Sequence, residues 1–150
     1  MEEKSFVMKL DDSELSKRVR AVMGVPEGLL DTDTIVSPVF IKKTERYINK
    51  QIEKYINVIE DFSIFNIAAV YYIAYLLCPG MDARLPKQME NLSTKTILST
   101  ISWDQKALEF LDSANDAILS ILEEFEEDDI NYYLSFAELT DESSYPESNI

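Results

Sequence analysis

Ile64-Phe65-Asn66-Ile67-Ala68-Ala69-Val70-Tyr71-Tyr72-Ile73-Ala74-Tyr75-Leu76-Leu77 is the stretch on which the fold turns, and it stops against Cys78-Pro79-Gly80. It is almost wholly apolar. At about 14 residues it falls short of the roughly 20 that a bilayer core demands, so it reads as the core helix of a soluble protein. Asp61 or Ser63 stands where its cap is expected. A helix apolar on every side must be covered on every side. One small domain has few layers to offer, so part of this helix, with Tyr71, Tyr72 and Tyr75, is expected to face a second subunit.

Two helices are expected upstream. Ser13 is placed to cap the first, which runs to Met23 with Leu15, Val19, Val22 and Met23 as its apolar stripe. Gly24 supplies the left-handed residue that ends it, and Pro26 follows. Residues 25–37 form a connector, with Leu29, Leu30 and Ile35 as buried pegs and Asp31-Thr32-Asp33 as a polar turn. Ser37-Pro38 begins the second helix, Pro being suited to the first helical position. Ile41, Ile48, Ile52, Tyr55 and Ile59 keep one face of it apolar, and Lys42, Lys43, Glu45, Arg46, Asn49, Lys50, Glu53 and Lys54 cover the other. Residues 1–12 are expected to be loosely held.

Downstream, residues 79–101 are the least regular stretch. Thr94 to Ile101 is rich in β-branched residues but lacks a hairpin turn, so an irregular loop with room for one short strand is expected. Ser102 then caps a further helix. Trp103, Ala107, Leu111, Ala114, Ile118, Ile121 and Phe125 recur on it at helical steps, and the small Ala107 and Ala114 point to close packing in a bundle. Trp103 joins the three tyrosines as a candidate subunit contact. The expected architecture is all-α: a compact bundle of about four helices over residues 1–125, then an extended acidic arm, residues 126–150, partly disordered from Thr140 onward. Ile130, Tyr132, Tyr133, Leu134, Phe136 and Leu139 are too apolar for a solvated tail. They either fold back onto their own core or form an arm that docks on a partner.

The charge is divided the same way. The chain has a net charge of −14. Residues 123–150 hold ten carboxylates and no base, which leaves 18 acids against 14 bases in the rest. A body so mildly charged with one strongly acidic end suggests an acidic arm, and it argues against free nucleic acid as an affinity partner. Lys17, Arg18 and Arg20 form a small basic cluster, either a solvated face or, through Arg18 and Arg20, one side of a subunit salt bridge.

Chemistry is hard to find. There is no His and only one Cys, and Cys78, at the end of an apolar run, reads as a small buried hydrophobe. The paired carboxylates sit in capping positions or acidic runs. Asp11-Asp12 and Asp31-x-Asp33 lack calcium-loop spacing, and no zinc pattern or phosphate-binding glycine loop exists. No catalytic residue, cofactor or metal is expected.

Val19-Arg20-Ala21-Val22-Met23-Gly24-Val25, then Leu29-Leu30-Asp31-Thr32-Asp33-Thr34-Ile35 and Pro38-Val39-Phe40-Ile41, resembles the start of the head-tail connector (neck, head-completion adaptor) proteins of tailed bacteriophages. Ala68 to Pro79 looks like the central buried helix of that family, and Ile101-Ser102-Trp103-Asp104-Gln105-Lys106-Ala107 is similar to the start of its last helix. The resemblance covers roughly residues 13–125 and leaves the acidic C-terminus outside it. It implies a structural virion protein, not an enzyme, located at the neck and assembled in the bacterial host cytoplasm. Such a protein forms a ring, commonly dodecameric, beneath the portal protein of a filled head. It presents a docking surface to the downstream neck or tail-completion protein, and DNA passes through its lumen without specific binding. No membrane is involved. The alternative from another class is an acidic DNA mimic that blocks a DNA-binding enzyme.

Overall fold

The computed structural model describes the backbone of residues 4–88 and 101–140, and the side chains of 4–84 and 101–126. It is all-α, with no strand among the described residues. In chain order come α1 (Asp12–Met23), the single turn α2 (Thr32–Ile35), α3 (Pro38–Gln51), α4 (Asn66–Leu77), α5 (Met81–Gln88) and α6 (Trp103–Thr140), with 3-10 turns at Glu53–Tyr55, Phe62–Phe65 and Cys78–Gly80.

The quoted stretch is the axis of the bundle. The longest helix, α6, lies along α4, and α1 and α3 pack on other sides of it. Phe65, Ala68, Ala69, Ile73 and Ala74 of this stretch are completely buried. Three of α4's buried residues are alanines, as are Ala107 and Ala114 on α6, so the two backbones can approach closely. Two hydrophobic clusters share the helix. One joins its C-terminal half to α1, the connector pegs Leu29, Leu30 and Ile35, Met81 and Trp103. The other joins its N-terminal half to Phe6, Ile48, Ile52, Tyr55, Ile59 and Ile118.

Several boundaries differ from expectation. The N-cap of α1 is Asp11, whose side chain accepts from the Glu14 N–H at 2.7 Å, and not Ser13. Gly24 ends the helix as expected, at φ 70°. The apolar stripe of α3 outlasts the helix, which stops at Gln51; a 3-10 turn then carries Tyr55 inward. Asp61 caps a 3-10 turn that leads into α4. With the 3-10 turns at both ends, Phe62–Arg84 forms a 23-residue helical stretch, long and apolar enough by length and composition to cross a membrane. The expected irregular stretch from residue 79 is helical through Gln88. The possible strand at 94–101 falls almost entirely outside the described residues.

From residue 4 onward, the segment before α1 is not loosely held. Phe6 is 1% exposed. Its N–H donates to Asn49 Oδ1 at 2.6 Å, and its carbonyl accepts from Asn49 Nδ2 at 3.0 Å. The Met8 N–H donates to Glu45 Oε2 at 2.8 Å. These bonds strap the extended N-terminus across α3 and give backbone groups the partners that burial demands.

At the other end, α6 does not stop near Phe125. Its backbone is helical without interruption to Thr140, so the boundary expected at residues 125–126 falls inside a helix. Residues 141–150, expected to be disordered, lie outside the described residues.

Candidate interaction surfaces

The residues expected at subunit contacts end up in different places. Trp103 is a correction: it is 2% exposed and belongs to the chain's own core, where Ser102 caps the helix it opens through the Gln105 N–H at 3.3 Å. The heptad-like stripe showed that Trp103 would be covered; it could not show by what. Its indole N–H has no acceptor among the described residues.

Arg20 is also taken up internally. Its Nε donates to the Leu30 carbonyl and its Nη2 to Thr32 Oγ1, both at 2.8 Å. The guanidinium thereby clamps the connector to α1 with two charge-assisted bonds. Asp31 caps α2 by accepting from the Thr34 N–H, and hydrogen bonding from Thr34 holds its carboxyl below the usual carboxylate range. Arg18 pairs with Glu14 one turn away at 2.8 Å on the solvent side.

The three tyrosines of α4 are half-buried and form an aromatic band. Tyr72 stacks on Tyr47 of α3, with ring centroids 4.1 Å apart and planes within 6°. Tyr75 leans on Tyr72 at 5.3 Å, and Tyr71 faces Phe110 of α6 at 6.4 Å. The Tyr47 hydroxyl donates to Asn115 Oδ1, tying α3 to α6. Burial first, and Tyr72 second, push the Tyr47 hydroxyl up to about 12. Burial likewise raises the Cys78 thiol to about 12, with Lys106 opposing it, so Cys78 is an unreactive core group.

Ile64 and Ile67 are 42% and 57% exposed. The start of the central apolar stretch is therefore not fully covered by the described residues. Leu108 and Leu119 on α6 are exposed as well. Ile130, Tyr132, Tyr133, Leu134, Phe136 and Leu139 all occupy the last turns of α6; their side chains lie outside the described residues. Tyr132, Phe136 and Leu139 continue the register of Phe125 at steps of seven, four and three.

A further surface did not stand out as a site in the sequence, although its residues did. Lys42, Lys43, Arg46, Lys50 and Lys54 on and just after α3 are all exposed. Beside them an open hollow of about 670 Å³ is lined by Lys4, Ser5, Asn49, Lys50, Glu53, Ile56 and Asn57. The strap from Asn49 places Lys4 on this side. Among the described residues, no group of three or more His, Cys, Asp or Glu side chains is gathered as metal ligands would be. No family model, no curated protein and no solved structure matches this chain.

Proposed function

We propose that the protein is a head-tail connector of a tailed bacteriophage. It is a virion neck protein that assembles into a ring, of the dodecameric kind common in that family, beneath the portal of a DNA-filled head. There it gives the downstream neck or tail-completion protein a surface to dock on, and DNA passes through its lumen. The work is packing against copies of itself and against other proteins, with no bond made or broken and no membrane involved.

The observation that carries this reading is the order of elements. A short helix closed by a left-handed Gly24 leads through a pegged connector into α3, then into a central apolar helix and a long last helix. That is the order on which the resemblance rests. The uncovered Ile64 and Ile67 supply apolar area for a neighbour. The DNA-mimic alternative is less well supported. Its carboxylates would have to follow the body of the protein at phosphate-like steps, whereas this chain concentrates them beyond residue 122 and carries a basic face on α3.

The test is to mix the protein with portal-bearing, DNA-filled heads that lack it and image them by electron microscopy. A new ring of density below the portal is the expected result. Heads left unchanged, together with inhibition of a DNA-binding enzyme by the same preparation, would replace the connector reading with the mimic.

A further inference from the structure

We propose that the basic face of α3 is the seat of the acidic C-terminal stretch of a second copy of this chain, so that subunits join tail to face. The proposal rests on the reading of the protein as a self-assembling ring and names one of its contacts.

Lys42, Arg46, Lys50 and Lys54 succeed one another at intervals of four, and Lys43 lies three before Arg46. Like charges at these spacings on a helix repel and destabilise it. Lys54 lies over the Tyr55 ring, 5.3 Å from its centroid, but the ion pairs among the described residues are Arg18 with Glu14 and Lys106 with Glu109, and neither involves α3. Of the acids on this segment, Glu45 is engaged by the Met8 N–H and Glu53 is exposed. On neighbouring elements Glu60 and Asp61 face Lys4 and Lys9 across the adjoining hollows, and Asp61 is held by Ser63. Five exposed bases against two acids leave the face net positive, and it fits a partner that is acidic and elongated.

Residues 123–150, with ten carboxylates and no base, are such a partner. The backbone of α6 carries residues 126–140 away from the α3 helix of their own chain. Tyr47 of α3 meets Asn115, and Tyr55 in the turn after α3 stacks on Phe125 at 5.7 Å, so α3 and α6 run in the same direction. At Phe125, α6 has already drawn level with the turn that follows α3. It continues unbroken to Thr140, about 22 Å farther at 1.5 Å per residue. Glu126 to Asp129 are thus carried away from Lys42–Lys50 of the same chain. The tail of one copy on the face of the next is a heterologous contact, the kind that repeats around a ring.

The test uses the full-length protein. Equal amounts of unlabelled and 15N-labelled chains are mixed at low salt and joined with a carbodiimide, which links a carboxylate to a touching lysine. The expected products are mixed-isotope peptides joining residues 123–142 to Lys42, Lys43, Lys50 or Lys54. Their yield should fall several-fold in about 0.5 M salt, where the screening length drops to roughly 4 Å. Reversing Lys42, Lys43, Arg46 and Lys50 to Glu should abolish them. A second variant, with Glu123, Glu124, Glu126 and Glu127 changed to Lys, should then pair with the first but not with itself. Links confined to one isotope, or none, would overturn the proposal. So would retardation of duplex DNA by the wild type that the α3 reversal removes, because phosphate would then be the occupant. Failure here is separable from failure of the ring: heads that still gain a ring from the α3-reversed protein remove this contact alone.

Discussion

Helices α1 and α3 are both amphipathic and both basic on one side, yet their charges do opposite things. In α1 the polar groups are consumed inside the subunit. Asp11 caps its start, Gly24 closes its end, Arg18 pairs with Glu14, and Arg20 clamps Leu30 and Thr32 of the connector. In α3 the start has Pro38 but no side-chain cap bond from Ser37, and the basic residues on its outer face take part in no ion pair among the described residues. The same residue type is therefore structural in one helix and exposed, without an ion pair among the described residues, in the other. What decides is the neighbourhood: α1 lies beside a connector with carbonyls and hydroxyls to offer, while no described residue makes a hydrogen bond or ion pair with the side chain of Lys42, Lys43, Arg46 or Lys50.

This contrast can be broken at several points. The largest effect is expected from Arg20→Ala, which leaves the Leu30 carbonyl and Thr32 hydroxyl unpaired. It should cost about 2 kcal/mol in urea unfolding, the scale of a charged hydrogen bond, and loosen residues 29–35 in hydrogen exchange. Next comes a capping pair: Asp11→Ala should cost about 1 kcal/mol, whereas Ser37→Ala should change stability by no more than a few tenths, since Ser37 makes no cap bond. Equal losses at both positions would erase the distinction between the helices. Smaller still, Arg18→Ala should cost under about 0.5 kcal/mol, because the pair is exposed on both sides. Replacing Lys43, Arg46 and Lys50 together by Ala should leave stability unchanged or slightly raised, as like-charge repulsion is removed. A large loss there would mean that α3's charges are structural after all.

Acid offers one more way to separate the regions. Asp31 and Asp61 have carboxyls held below their ordinary value by hydrogen bonds from Thr34 and Ser63. A lowered folded value means that their contribution is present above the unfolded value near 3.8 and is lost as pH falls through the lower, folded one. Melting followed by circular dichroism should therefore soften below about pH 4, with Asp31→Asn and Asp61→Asn flattening the change.

Much of this was legible in the sequence where local chemistry decides the outcome. The left-handed Gly24, the pegs Leu29, Leu30 and Ile35, the Ser102 cap and the apolar run of α4 all follow from residue type and spacing. What stayed hidden depends on residues far apart in the chain. Phe6 is buried because Asn49 and Glu45, some forty positions away, hold its strand. Arg20 read as a surface charge because its acceptors, a carbonyl and a hydroxyl, leave no mark in a charge pattern. Trp103 read as a contact with a neighbour because periodicity reports that a face is covered but not which chain covers it. The basic face on α3 was read as a solvated side. Only the parallel course of α3 and α6 shows that the backbone of residues 126–140 leaves it behind.

The most direct test of the central claim, that this subunit keeps its α3 charges for another copy, is sedimentation velocity of the wild-type protein across a salt series. Oligomers at low ionic strength should dissociate as salt rises, with helix content and melting temperature nearly constant. A protein that stays monomeric at every salt concentration, or one whose association strengthens with salt, would contradict it.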